Sequence, residues 1–446
     1  MRIPPVRGAK LAFALGTALL VSGAISMAPS SIAAASGTTL VTAQCGQSPH
    51  WVGSWMVAPS DAAPGIDAYH GPVSATDNQT FRITVVPYLS GTSTRIRVSN
   101  RFGTTPVTFA NATIGRQSRG ASVVPGTLRP ATFGGSSTVV VAAGAEVFSD
   151  PIPFPVQAHV PLLVSVYVPG TAAATELQTA FETDYYSPPG TGDHAASVAA
   201  VPFTRTTTTV PWVTGLDVRA PSSVTSTIAI GDSITAGYVA ANALSVFPAK
   251  SIVDARVRYT DYLQRRVDAA GITAPILNAG ISANRLLSAG TVPYAGPAGV
   301  MRISQDAIGQ PGVSTVILME GINDLGSPPA PTSAQLIAGL VDVINKLHAN
   351  GIRVVLGTIT PASNALVDGT LLSRQSDVAR MTVNDWIRNQ RVADGLADFA
   401  AALQAPGNPH ILNPAYAGPD NLHPNPAGYR KMAESVDLST LGRRCS

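Results

Sequence analysis

A serine, an aspartate and a histidine, suitably placed, are the raw material of acyl transfer, and this 446-residue chain offers such a set. Ser233 closes the run "STIAIGDS", where an apolar stretch meets a glycine and an aspartate. Serine is a weak nucleophile until a histidine takes its proton, and an acid then fixes the imidazole tautomer and stabilises the imidazolium. "GPDNLHPNPAGY" supplies both groups, Asp420 and His423, three residues apart. The oxyanion of a tetrahedral intermediate also needs fixed donors. The backbone N–H groups of Ser233 and of Gly280 in "NAGIS", with the side-chain amide of Asn323 in "GIND", are the candidates. Taken alone, Ser233 reads better as a helix N-cap than as a nucleophile. Taken with the others, in this order, it reads as a nucleophile.

Such groups work only if the chain brings them together. Apolar runs at 224–230, 276–277, 313–319 and 352–359 alternate with helical stretches at 255–270, 334–348 and 374–389, and a shorter fifth strand is expected at 396–399. Buried strands separated by helices predict a parallel sheet with helices on both faces. Right-handed crossovers put the loops after the first three strands on one edge, where such sheets bind ligands. Those loops hold Ser233, Gly280 and Asn323. Residues 46–220 instead read as an all-β, sandwich-like domain. In "TFRITVVPYLSGTSTRIRVSNRFG" two alternating runs flank Ser90-Gly91. Ile83 and Val85 are expected on one face, and Ile96 and Val98 on one face of the partner run.

The four blocks "GDSIT", "NAGIS", "GIND" and "DNLH" resemble those of the SGNH, or GDSL, hydrolase superfamily in order and spacing. The resemblance implies a flavodoxin-like parallel sheet over 221–446, with Ser233, Asp420 and His423 catalytic and Gly280 and Asn323 in the oxyanion hole. Two positions depart from the pattern: Ile234 stands where leucine is usual, and Ala283 where glycine is expected. No G-x-S-x-G elbow surrounds Ser233, so this is not the α/β-hydrolase form of the triad. The opening of the β-rich half, "WVGSWMVAP", resembles secreted bacterial GDSL esterases that include xylan-esterase-like members. The implied activity is hydrolysis of acetyl or short acyl esters, on plant polysaccharide among other substrates, with no cofactor and no metal. The alternatives are a lipase or phospholipase acting on longer chains and a carbohydrate-binding module with a decayed site.

The remaining features bound this reading. Arg2, Arg7 and Lys10 precede an apolar run at 11–28 and the small residues "SIAAAS", the order of a secretory signal peptide over residues 1–35. That leader holds three basic and no acidic residues, so its removal takes the formal charge from +3 to zero. A neutral chain gives no case for nucleic acid, whose recognition needs clustered Lys and Arg. The expected product is a secreted monomer without a stable membrane anchor. Cys45 and Cys445 are expected to form a disulfide in an exported protein. His50, His70, His159 and His194 show no metal-ligand spacing, and His348 sits where a cation suits a helix end. Asp232, Glu320 and Asp324 read as scaffolding of the catalytic loops.

Overall fold

Strand-forming valine and threonine are abundant in the first half, and antiparallel sheets are built there. The computed structural model describes residues 48–63, 76–245, 247–290, 292–326, 329–366 and 374–442. The leader, Cys45 and Cys445 lie outside these residues. One sheet of four strands runs His50–Met56, Val213–Ala220, Thr94–Ser99, Glu146–Phe148. A larger sheet is centred on Thr76–Val85 paired with Leu162–Ala172, which in turn pairs Asn111–Arg119. Val52, Ile96 and Leu216 from the first sheet join Ile83, Ile114 and Val164 from the second in one apolar core.

The two runs flanking Ser90-Gly91 are both strands, but they are not partners. Thr76–Val85 lies in the larger sheet and Thr94–Ser99 in the smaller, against Val213–Ala220. Between them the chain crosses the core instead of turning back. Leu89 is buried, its N–H donates to Ser54 Oγ, and the Tyr88 N–H donates to Ser54 O. Local alternation marks a strand without naming its partner.

From residue 226 the sheet is parallel. Its strands are ordered Ile276–Gly280, Ser226–Gly231, Val313–Met319, Arg353–Gly357, Gly395–Ala397, so the first in sequence lies between the second and the third. This is the flavodoxin-like order, with its ligand crevice where the winding direction reverses. Gly231 is in register with both Gly280 and Met319, which brings three strand ends level at that crevice. Helices Tyr259–Ala269, Ser333–His348, Arg374–Asn389 and Pro426–Ser435 complete this half. The first begins later than its apolar period suggests, because Asp254 and Arg256 adopt left-handed backbone and bind Thr183 and Glu182 of the β-rich half. The described residues all fall in one unit. Strand His50–Met56 joins the halves closely: the Gly53 N–H donates to Pro311 O at 3.0 Å, and a Cβ there would lie 2.8 Å from Leu277 Cδ1.

Candidate active site

Ser233 leaves the first parallel strand through a tight turn. A Cβ on Gly231 would sit 2.1 Å from Thr235 Oγ1 and 2.7 Å from Met319 O, so only glycine fits. Asp232 then caps the four-residue helix Ser233–Ala236, its Oδ1 accepting from the Ile234 N–H at 2.8 Å. The cap is thus Asp232, which frees the serine hydroxyl. Ser233 Oγ lies 2.8 Å from His423 Nε2, and His423 Nδ1 lies 2.6 Å from Asp420 Oδ2. A neutral imidazole whose Nδ1–H donates to the carboxylate keeps Nε2 as the acceptor for the Ser233 O–H.

The acid is held by its own loop. Asn421 takes a left-handed φ of 57°, folding the chain back so that the N–H groups of Leu422 and His423 both donate to Asp420 Oδ1 at 3.1 Å. Burial pushes the Asp420 carboxyl up, but the hydrogen bond and charge of His423 and the two backbone N–H groups outweigh it, and the group is held below the usual aspartate value. Tyr238 packs against the imidazole with ring centroids 4.5 Å apart. The Tyr238 carbonyl accepts from Tyr429 Oη.

The expected donors divide. Asn323 Nδ2 donates one N–H to Asn284 O at 2.9 Å, which orients the amide while leaving its second N–H at a half-buried position in the pocket wall. Gly280 must be corrected. Its N–H donates to Asn278 Oδ1 at 2.9 Å, and it is not among the pocket's lining residues. A Cβ on it would lie 2.2 Å from Ala236 N, so glycine is required there for close packing of strand on helix. The residue that does line the pocket is Ala283, at φ 60°, and no described group accepts from its N–H. The signal was present in the sequence as an alanine where glycine is expected.

Beneath the loops lies Arg302, fully buried. Its guanidinium donates to Gly231 O, Ala279 O, Asn284 Oδ1, Asp306 Oδ2 and Glu320 Oε1 at 2.8–3.1 Å. One side chain thereby ties the ends of three strands together, a role no motif announced. Burial, and then Asp232, drive Glu320 well above the ordinary glutamate value; burial also raises Asp232. Asp324 accepts from the Leu286 and Leu287 N–H groups. These three acids are scaffolding.

The pocket holds about 260 Å³. Gln178, Thr179, Ser245 and Ser282 form a polar wall, and Tyr238, Phe247, Pro248, Tyr294 and Leu422 an apolar one. Among the described residues no Lys, Arg or Glu lines it, and Asp420 is its single carboxyl group. Gln178 and Thr179 come from the β-rich half and were invisible to motif reading.

Residues 229–431 match the model of the GDSL-like lipase/acylhydrolase family. No curated protein matches the chain. Among solved structures, a carbohydrate acetylesterase from Sinorhizobium meliloti is similar at 15% identity over 47% of this chain and 95% of its own, with a TM-score of 0.35. An aryl esterase from M. smegmatis shares 18% identity over 49% and 100%, with a TM-score of 0.36. A carbohydrate esterase family 2 enzyme plus carbohydrate-binding domain, from Corynascus thermopiles, shares 12% over 81% and 96%, at 0.35. These identities and scores leave the substrate unassigned. No helix among the described residues is long and apolar enough to cross a membrane.

Proposed function

Because residues 229–431 form a GDSL-like lipase/acylhydrolase domain and the chain is a carboxylic ester hydrolase, we propose that it is a secreted serine esterase that cleaves uncharged esters of short acids through an acyl-enzyme on Ser233. The observation that carries the mechanism is the hydrogen-bonded row Ser233–His423–Asp420 at the wall of the pocket. His423 Nε2 takes the Ser233 proton as Oγ attacks the ester carbon, and Asp420 stabilises the imidazolium. The oxyanion is received by the Asn323 amide and the Ala283 N–H, with the Ser233 N–H beside them. His423 returns its proton to the departing alcohol. Water, activated by the same histidine, then releases the acid.

Two features of the pocket support the substrate class. Its volume lies below the roughly 300–1,000 Å³ of sites that enclose drug-sized ligands, which favours a short acyl group. Its wall offers hydroxyls and an amide but no cation for a phosphate, which favours a hydroxylated alcohol such as an acetylated sugar over a phospholipid. A second reading, longer acyl chains, rests on Phe247, which lines the pocket and is 44% exposed. The test is hydrolysis of p-nitrophenyl esters from acetate to decanoate, together with release of acetate from acetylated xylan. Preference for acetate with release from xylan supports the first reading. Rising kcat/KM with chain length supports the second, and no turnover of any ester overturns both.

A further inference from the structure

The family domain begins at residue 229, yet the β-rich half reaches into the pocket. Thr179 Oγ1 lies 2.9 Å from Ser282 Oγ across the two halves. We propose that Thr179 is a positioning residue: it holds the loop at Ser282 so that the left-handed turn at Ala283 presents its N–H to the developing oxyanion. The proposal rests on the reading of Ala283 given above.

A non-glycine residue at positive φ is strained, and it persists only where its surroundings over-determine it. On the C-terminal side of Ala283 the supports are many. Asn284 donates to Ala295 O and Pro297 O, accepts from Arg302 at its side chain, and accepts from Asn323 at its carbonyl. On the N-terminal side the Ile281 N–H donates to Gly231 O at 3.0 Å, and the Ile281 carbonyl accepts from the Asn284 N–H at 3.1 Å, closing the turn. The one side-chain support there among the described residues is Thr179 on the Ser282 hydroxyl. Thr179 is itself fixed. Leu177 pairs with Val210, Gln178 Nε2 donates to both carboxylate oxygens of Asp61 at 3.0 and 3.1 Å, and the Ala180 carbonyl accepts from Arg258. The segment just after strand Glu176–Leu177 thus supports one side of a strained residue, and Arg302 and Asn323 support the other. Release at Ser282 lets Ala283 relax towards negative φ and turns its peptide away from the site.

The test uses the full chain and phenyl acetate, with kcat and KM determined separately and folding followed by thermal melts. Thr179→Val, which keeps the shape and removes the hydroxyl, should lower kcat about tenfold, the order expected for one lost hydrogen bond, with KM within twofold. Thr179→Ser should recover most of the lost rate. In an Ala283→Gly background, where the left-handed turn is unstrained, Thr179→Val should cost threefold or less. Ser282→Ala should match Thr179→Val, and the double variant should be no worse than either alone; this pair decides the matter if Thr179→Val does not fold. Wild-type kcat in both single variants, a loss confined to KM, or an equal loss with alanine and glycine at 283 overturns the proposal. Failure of the underlying esterase reading shows separately, as a wild-type chain that does not turn over phenyl acetate.

Discussion

The nucleophile corner and the oxyanion loop face the same pocket and are built by opposite means. At the first, Gly231, Asp232 and Ser233 set the hydroxyl by a turn and a cap contained within a few residues, and Asp420 and His423 are set by another short turn. Each piece owes its geometry chiefly to contacts within a few residues. At the second, a strained alanine is held by Thr179, Arg302 and Asn323, from three separate parts of the chain. The proposed reacting groups travel as compact motifs, whereas the proposed oxyanion donors depend on distributed support. The largest expected effects therefore belong to the compact corner. Ser233→Ala and His423→Ala should each lower kcat by on the order of 10⁴ to 10⁶, and Asp420→Asn by less. A phosphonate ester should label Ser233 alone, read by mass spectrometry of the digest. Wild-type turnover in Ser233→Ala would break the comparison at its root.

The next effect belongs to the oxyanion side. Asn323→Ala removes a donor felt mainly in the transition state, so kcat should fall about 10² to 10³ while KM moves little. Asn323→Asp should be worse, because it sets a carboxylate against the forming oxyanion. Steady-state kinetics on one ester decide this. An alanine variant within threefold of wild-type kcat removes Asn323 from the mechanism and leaves the loop without its side-chain donor.

That contrast also explains what could be read from the residues alone. Alternation of apolar and helical runs marks out the parallel sheet, and the helix at 374–389 ends where its periodicity does. Ser233, Asp420 and His423 stand in contiguous blocks, so their meeting could be anticipated. A glycine beside a strand end looks like a donor, whereas the constraint on Gly280 is the backbone of Ala236 pressed against it. The pairing of the runs around Ser90-Gly91 was missed for a related reason: partner choice is made by the core, not by the turn between them. Thr179 had no signal at all, since its partner is 103 residues away and neither hydroxyl lies in a motif.

A pair of glycine exchanges sharpens the correction. Gly280→Ala drives a methyl into Ala236 backbone that cannot give, and should destabilise the fold by about 1–3 kcal/mol, the usual range for overpacking. The fraction that folds should keep much of its kcat, because the Gly280 N–H serves Asn278 and not the substrate. Ala283→Gly does the reverse in strain, removing a left-handed alanine, and should leave the melting temperature equal or higher. Urea denaturation of both variants beside kinetics separates the two. If Gly280→Ala folds normally and loses kcat a hundredfold, Gly280 returns to the oxyanion hole.

The smallest effect concerns the frame behind Thr179. Glu176, on the strand that leads to it, is 1% exposed, and neither carboxyl oxygen has a hydrogen-bond partner among the described residues. Burial first, and the nearby Asp61 second, push its pKa up to about 9 from 4.5. The folded chain therefore holds a proton that the unfolded chain releases above pH 4.5. The contribution of this group to stability is fully present below that value and is lost as pH rises towards 9. Between pH 7 and 8 the loss is at most about 1.4 kcal/mol, one proton across one pH unit. Glu176→Gln keeps the shape of the neutral acid and has nothing to titrate, so it should flatten this part of the profile. Comparing urea midpoints of wild type and variant at pH 7 and 8 reads the difference. A gap between them that does not widen at the higher pH means that Glu176 is already ionised in the folded chain, and the frame behind the oxyanion loop then carries a buried charge.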